Sequence, residues 1–177
     1  MSEKKTILVT GATGAQGGSV AEFLLKSGNY NVRAFTRKAG SDKAKALKEA
    51  GAEIFEGSMD DIESLRKAMQ GCYGVFGVTS FWEHFNKELE QGKNLLNAVN
   101  ESDIKHFVFS SLPGAKKISN GKYDAPHLDI KAELEEYSRS LNLKATYVHV
   151  AFYYDNFLSF FPPQKGLDDT YSFGFPQ

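Results

Sequence analysis

Residues 6–18 read Thr-Ile-Leu-Val-Thr-Gly-Ala-Thr-Gly-Ala-Gln-Gly-Gly, and this stretch decides the fold. It begins with an apolar run typical of a strand buried on both faces, and its glycines are spaced G-x-x-G-x-x-G. The apolar spacing from Ala15 to Ser27 then predicts a helix that Gly28 ends. Such glycines allow a tight turn and let an anion approach the N–H groups at the helix N-terminus. Strand, loop and helix in this order predict a site for the pyrophosphate of a dinucleotide. A glycine-rich turn without a ligand is the alternative.

Strand and helix patterns alternate along the rest of the chain. Further strands are expected at Asn31–Thr36, Glu53–Glu56, Gly74–Thr79, His106–Ser110 and Ala145–Val150. Further helices are expected at Ser41–Ala50, from a cap at Asp60 or Asp61 to Met69, at Asn86–Ser102 and at Pro126–Leu141. The inward residues are predicted to be Val20, Phe23 and Leu24 in the first helix, and Ile62, Leu65 and Met69 in the helix that ends at Met69. In the last two helices they are predicted to be Leu89, Gly92, Leu96 and Val99, and Ile130, Leu134, Tyr137 and Leu141. Residues 112–125 are expected to form a loop, and residues 164–177 no regular element. The pattern predicts an α/β fold with a doubly wound parallel sheet of the Rossmann type.

The composition is that of a folded domain, with 41% hydrophobic and 24% charged residues among 177. A net charge of −1 gives no global field that would recruit nucleic acid or an anionic membrane. The single cysteine, Cys72, cannot form an intramolecular disulfide and is expected to be buried in a protein of a reducing compartment. The charged start Met1–Lys5 does not resemble a signal peptide, and no apolar run reaches the ~18 residues of a membrane span. We therefore expect a soluble intracellular protein.

The end of the second predicted strand indicates which dinucleotide is bound. An acidic residue at this point bonds the ribose 2′-hydroxyl of NAD, whereas a cation favours the 2′-phosphate of NADP. Here the strand ends Ala34-Phe-Thr-Arg37-Lys38, with two cations and no acid. Arg37 can bind a phosphate through two N–H groups, and Lys38 adds a second positive charge. The sequence therefore favours NADP(H), unless both side chains are only solvated loop cations.

With these residues in place, the chain resembles the NmrA-like family of atypical short-chain dehydrogenase/reductases. The segments that carry the resemblance are 9–18, 32–37, Gly77-Val-Thr-Ser-Phe-Trp-Glu83, His127-Leu-Asp-Ile-Lys131 and Tyr153-Tyr-Asp-Asn156. The resemblance implies an NADP(H)-binding domain at residues 1–151. Residues 152–177 would begin an incomplete C-terminal region, so the substrate region is largely absent.

The resemblance also implies a path for the cofactor across the site. Its pyrophosphate would lie on Gly11, Ala12, Thr13, Gly14, Ala15 and Gln16, and its 2′-phosphate on Arg37, Lys38 and Ser41. Ser58 and Met59 would flank the adenine, although related folds often have aspartate at position 58. Thr79, Ser80 and Phe81 would line the nicotinamide side, Lys131 would reach the nicotinamide ribose, and Tyr153, Tyr154, Asp155 and Asn156 would close over it.

Whether the protein is an enzyme depends on the residues near Lys131. Active short-chain reductases place a tyrosine four residues before the lysine as general acid, and the lysine lowers its pKa. Here that residue is His127, which can also donate a proton. Ser110 and Ser111 can orient a substrate or simply cap the strand end. The four histidines, at 84, 106, 127 and 149, do not have metal-ligand spacing.

The resemblance favours an NADP(H)-binding regulator or redox sensor whose cofactor occupancy changes its protein partners. An NADPH-dependent reductase of a small carbonyl, quinone or enone is the alternative, since isoflavone-reductase-like relatives work with a lysine and without such a tyrosine. The family resemblance also implies a cytoplasmic protein, with the nucleus as a second location, and a protein partner or a homodimer. The aromatic residues between Phe152 and Phe161 are expected to form part of that interaction surface or of the core of a C-terminal region.

Overall fold

The structure is a computed structural model that describes residues 4–84, 86–172 and 174, with only the backbone described at His84. The main sheet contains β1 (Lys5–Val9), β2 (Tyr30–Thr36), β3 (Glu53–Glu56), β4 (Gly74–Gly77), β5 (His106–Ser111) and β6 (Ala145–His149). Its order is β3-β2-β1-β4-β5-β6, and all neighbouring strands are parallel. The predicted α/β doubly wound sheet of the Rossmann type is therefore confirmed.

Seven α-helices connect or follow these strands in the described residues. They are α1 (Ala15–Ser27), α2 (Asp42–Glu49), α3 (Ile62–Met69), α4 (Phe81–His84), α5 (Glu88–Asn100), α6 (Ala115–Ile118) and α7 (Pro126–Ser140). A 3₁₀ turn at Tyr154–Phe157 and an antiparallel hairpin of β7 (Gln164–Lys165) and β8 (Tyr171–Ser172) complete the described chain. Local signals explain several boundaries: Asp61 accepts a hydrogen bond from Glu63 N at the start of α3, and Gly28 ends α1 in the left-handed conformation.

The core lies on both faces of the sheet. Leu8 packs with Leu65, Leu95 and Leu134 on the face covered by α3, α5 and α7. Its neighbour Val9 packs into the cluster on the other face, which α1 and α2 cover. Because successive strand residues point to opposite faces, β1 is buried on both sides. This arrangement places the carboxyl ends of β1 and β4 side by side where the strand order reverses, which is the usual ligand crevice of such sheets.

The structure corrects the prediction that Phe23 faces inward, since its side chain is 74% exposed. The inward face of α1 runs instead through Gly17 and Ala21, which are buried. A Cβ at Gly17 would lie 2.3 Å from Gly11 O, so this face approaches the loop too closely to hold a large side chain. The predicted inward residues of α3, α5 and α7 are buried or partly buried in the core.

Short elements account for the other differences. The predicted loop 112–125 contains α6, and the tail that was expected to lack regular elements contains the hairpin β7–β8. β4 ends at Gly77 rather than Thr79, and the short helix α4 precedes α5. Helices of one turn and two-residue strands are too short to give a hydrophobic period. Residues 1–3, 173 and 175–177, on which the signal-peptide and tail predictions partly rest, lie outside the described residues.

Candidate nucleotide-binding site

A cavity of about 640 Å³ lies at the carboxyl ends of β1, β2, β4 and β5. It lies at the reversal of strand order, where Rossmann-type sheets bind their ligands. Its walls come from the glycine-rich loop after β1, the turn after β2, α4, and one face of α7. Tyr153, from the segment after β6, also lines the cavity.

The glycine-rich loop has the geometry of a phosphate-binding turn. Gly11 has φ +58°, and a Cβ there would lie 2.8 Å from Val78 Cγ1. Val78 N donates to Thr10 Oγ1 over 2.8 Å, which fixes the end of β4 against the loop. Among the described residues, no side chain caps α1 at Gly14. The first N–H groups of this helix, which have no partner within the helix, are therefore available to an anion.

Arg37 leaves the end of β2 and meets an acidic residue from another element. Its Nη2 donates to Glu83 Oε2 of α4 over 2.6 Å. The two side chains are 51% and 59% exposed, and both line the cavity. Lys38 and Ser41, the other residues expected at a 2′-phosphate, line the same wall.

Lys131, on α7, is held by a buried carboxylate that the sequence analysis missed. Its Nζ lies 2.9 Å from Glu88 Oε1, 2.9 Å from Thr79 Oγ1 and 3.0 Å from Thr79 O. Thr79 Oγ1 also donates to Glu88 Oε1 over 2.6 Å. The Glu88 side chain is fully buried and that of Lys131 is 12% exposed. These contacts occupy the three N–H donors that an ammonium group possesses.

The same end of α5 carries a second polar residue that the sequence analysis missed. Gln91 is 1% exposed and lines the cavity, and its Nε2 donates to Asp60 Oδ1 over 3.0 Å. Glu88 Oε2 and Gln91 Oε1 are buried without a hydrogen-bond partner among the described residues. The sequence contained a signal for the burial of Glu88, because Glu88 precedes the inward-facing Gly92 by one helical turn and thus falls on the buried face of α5.

His127, at the start of α7, packs among rings of α4. Its ring centroid lies 5.9 Å from that of Phe81 and 5.5 Å from that of Trp82. It lines the cavity together with Lys131, so both residues of the His127-x-x-x-Lys131 pair face the same space.

Gln16 joins three separate elements at the opposite wall. Its Oε1 accepts hydrogen bonds from Ser110 Oγ over 2.9 Å and from Tyr153 Oη over 3.1 Å. Burial raises the pKa of the Tyr153 phenol. Ser110 lines the cavity. Ser111 is fully buried and donates a hydrogen bond to Lys131 O, so it supports the backbone of α7.

Most of the residues expected to bind the cofactor meet at this cavity. Those that line it are Gly11, Thr13, Gly14, Ala15, Gln16, Arg37, Lys38, Ser41, Met59, Thr79, Ser80, Phe81, Lys131 and Tyr153, and the expected catalytic residue His127 lines it with them. Five expected residues lie elsewhere. Ala12 is buried in the core beneath the loop, and Ser58 Oγ accepts a hydrogen bond from Asp60 N. Tyr154 is 86% exposed, and Asp155 and Asn156 lie in the same 3₁₀ turn and do not line the cavity.

Cys72 and His149, two other potentially reactive residues, each contact neighbouring protein groups. Cys72 is buried, and desolvation raises its pKa. His149 Nε2 lies 2.9 Å from Glu135 Oε2. Within the described part of the chain, no group of three or more His, Cys, Asp or Glu side chains is arranged to hold a metal ion. Nor does that part contain a helix with the length and apolar character needed to cross a membrane.

Comparison with known proteins confirms the family resemblance. A model of the NmrA-like family matches residues 3–177. An NmrA-like family domain-containing protein of Dictyostelium discoideum is 36% identical over 167 residues, which cover 91% of this chain and 55% of the relative. The NmrA-like family domain-containing oxidoreductase lnaB of Aspergillus flavus is 33% identical over 164 residues, which cover 88% of this chain and 49% of the relative. The chain thus spans about half the length of the curated relatives it matches.

Solved structures give the same result for the fold. The crystal structure of NmrA, a negative transcriptional regulator, matches with a TM-score of 0.80 and 26% identity, covering 96% of this chain and 53% of that one. NmrA has been solved in complex with NADP and also with NAD, and each complex matches 95% of this chain with a TM-score of 0.78. The NADPH-dependent quinone oxidoreductase QOR2 of Escherichia coli, complexed with NADPH, matches with a TM-score of 0.72 and 25% identity, covering 86% of this chain and 51% of that one.

Proposed function

Because the chain belongs to the NmrA-like family, we propose that it binds NADP(H) in the cavity at the end of its parallel sheet. The uncapped N-terminus of α1 would hold the pyrophosphate, and Arg37 and Lys38 would hold the 2′-phosphate. Two solved relatives that share this fold carry NADP or NADPH. The cavity volume of about 640 Å³ is in the usual range for cofactor pockets.

We further propose that the protein is a regulator whose surface responds to cofactor occupancy. The observation that carries this proposal is the hydrogen bond between Tyr153 Oη and Gln16 Oε1. It connects the phosphate loop to the segment after β6, in which Tyr154, Leu158 and Phe160 are 78% exposed or more. A nucleotide on the loop would contact Gln16 and Tyr153 directly, so its binding would bias the position of this apolar surface.

The environment of Lys131 argues against rapid proton transfer. A lysine lowers the pKa of a neighbouring acid through its positive charge. Here Glu88 lies at 2.9 Å and offsets that charge, and Thr79 takes the remaining N–H donors. To reach a ribose or to assist an acid, Lys131 would have to exchange one of these bonds. Burial also raises the pKa of Tyr153, the phenol that lines the cavity, which makes it a weaker acid.

An NADPH-dependent reductase of a small carbonyl, quinone or enone is the second candidate. Relatives named oxidoreductases support it, as does the presence of Ser110, His127, Lys131 and Tyr153 around one cavity. In that case His127 would be the proton donor and Lys131 would position the nicotinamide ribose.

We propose that the exposed aromatic segment binds a protein partner or a second copy of the chain. Phe152, Tyr153 and Phe160 are 40–78% exposed, and a patch of this kind usually marks an interaction site. The composition gives no reason to expect nucleic acid or a membrane as the partner.

Two measurements test the proposal. Calorimetric titration of the 177-residue chain with NADPH should give saturable binding, and Gly11→Val should abolish it because a side chain would clash with Val78. Gly174→Val is the matched control, since a Cβ at Gly174 would meet no atom within 4 Å and Gly174 does not line the cavity. Absorbance at 340 nm with a panel of quinones and enones then separates the candidates. Steady oxidation of NADPH would favour the reductase, and its absence together with tight binding would favour the regulator.

A further inference from the structure

Arg37 and Glu83 bring the two opposing determinants of cofactor choice into one ion pair. Arg37 stands at the end of β2, where a cation favours a 2′-phosphate. Glu83 reaches the same point from α4, and its Oε2 lies 2.6 Å from Arg37 Nη2. The acid that binds the 2′-hydroxyl of NAD in related sheets is absent from the end of β2, yet Glu83 of α4 brings a carboxylate to Arg37, the residue that follows β2.

We propose that Glu83 is a specificity-determining residue that reduces the preference for NADPH over NADH. This inference rests on the proposed cofactor site. A 2′-phosphate would compete with Glu83 for Arg37, so part of the Arg37–phosphate interaction replaces an ion pair that already exists. A 2′-hydroxyl leaves that pair in place, and Glu83 accepts its hydrogen bond.

Because the Arg37–Glu83 pair is exposed, replacing Glu83 by a phosphate as the partner of Arg37 costs little free energy. Both side chains are about half exposed, and ion pairs of this kind contribute little to stability. Lys38 and Lys43 line the same wall and would attract the dianionic 2′-phosphate once Arg37 turns to it. The site is therefore built to accept either ribose substituent, with Glu83 supporting one and opposing the other.

The test compares cofactor affinities of the whole chain and two variants by calorimetry. Glu83→Gln removes the charge but keeps the size of the side chain, and Glu83→Lys reverses the charge. In Glu83→Gln the ratio of NADPH to NADH affinity should rise at least about fivefold, because NADPH binding strengthens while NADH binding weakens. Glu83→Lys should raise it further. Glu136→Gln is the matched control, since it removes a carboxylate with the same exposure as Glu83 that pairs with Lys117 outside the cavity, and its ratio should equal that of the wild type.

A second measurement needs no variant, because the only tryptophan in the sequence, Trp82, is adjacent to Glu83. Adenosine 2′,5′-bisphosphate should change Trp82 emission as it displaces Glu83, and 5′-AMP, which lacks the 2′-phosphate, should not. A ratio that rises less than fivefold in Glu83→Gln, or an identical Trp82 response to both nucleotides, would overturn the role of Glu83. Absence of NADPH binding to the wild type would instead reject the proposed cofactor site.

Discussion

The Tyr153 hydroxyl donates a hydrogen bond to Gln16 Oε1 over 3.1 Å, although 137 positions separate the two residues in the sequence. Gln16 lies in the first turn of α1, the part of the fold that meets a pyrophosphate. Ser110, at the end of β5, donates to the same oxygen. One side chain thus links the phosphate loop, the sheet and the aromatic segment after β6.

Arg37→Ala should weaken NADPH binding at least tenfold and leave NADH binding within about twofold, because it removes charge-assisted bonds to the 2′-phosphate. The wild type should bind NADPH about tenfold more tightly than NADH, the lower end of what two cations alone would give, since Glu83 opposes the phosphate. Calorimetry with both cofactors measures these ratios. Arg139→Ala, which removes another exposed, ion-paired guanidinium, should leave both affinities unchanged. Equal affinities for NADPH and NADH in the wild type would contradict the assignment of Arg37.

Glu88→Gln should lower the free energy of unfolding by about 3 kcal/mol, because it leaves the Lys131 ammonium without its charged partner in a largely buried position. Urea denaturation of the wild type and the variant measures the difference. Glu136→Gln breaks the exposed pair with Lys117 and should lower the free energy of unfolding far less, because exposed ion pairs contribute little to stability. Similar losses in the two variants would show that the Lys131–Glu88 pair is not a buried structural pair.

Turnover with NADPH should be slow, below about 0.1 s⁻¹ for any quinone or enone, against a typical enzyme value near 10 s⁻¹. The reason is that Glu88 offsets the charge by which Lys131 would assist a proton donor. Stopped-flow absorbance at 340 nm measures the rate. Faster turnover that Lys131→Ala abolishes without loss of NADPH binding would support the reductase instead.

Acid should weaken the attachment of the 112–125 segment to α7. Asp129 accepts hydrogen bonds from Lys116 N and Ala125 N, and these backbone bonds lower the pKa of its carboxyl. Since the pKa is lower in the folded state, the carboxylate stabilises the fold above its ordinary pKa of 3.8, and the contribution is lost as the pH falls below that value. Asp129→Asn should therefore be less stable than the wild type at pH 6, and the difference should become smaller as the pH falls to about 2.5 in urea titrations. A difference that stays constant between the two pH values would refute this role.

The sequence predicts the parts of this molecule whose signals are local. The strand–loop–helix order around Gly11 and Gly17 and the apolar spacing of α5 and α7 depend on neighbouring residues, so the sheet and the phosphate loop could be predicted. The pairs Arg37–Glu83 and Lys131–Glu88 join residues 46 and 43 positions apart. Glu83 lies in a segment that carries the family resemblance, and Glu88 lies on the buried face of α5, but no local pattern pairs either acid with its partner. Each pair forms only when β4, α4 and α5 take their places. The type of site could therefore be predicted from the sequence, whereas the ion pairs that set its electrostatics could be identified only from the structure.

The proposed regulator requires a link between cofactor occupancy and the aromatic surface, and hydrogen exchange of residues 152–161 with and without NADPH tests this link most directly. We expect NADPH to protect both this segment and the loop Gly11–Gly17 in the wild type. Tyr153→Phe should lose most of the protection at 152–161 because it cannot donate to Gln16. Tyr154→Phe, which alters the adjacent exposed ring, should retain it. Protection of the loop with unchanged exchange at 152–161 in the wild type would show that the cofactor binds without changing this surface, and would contradict the proposed regulatory function.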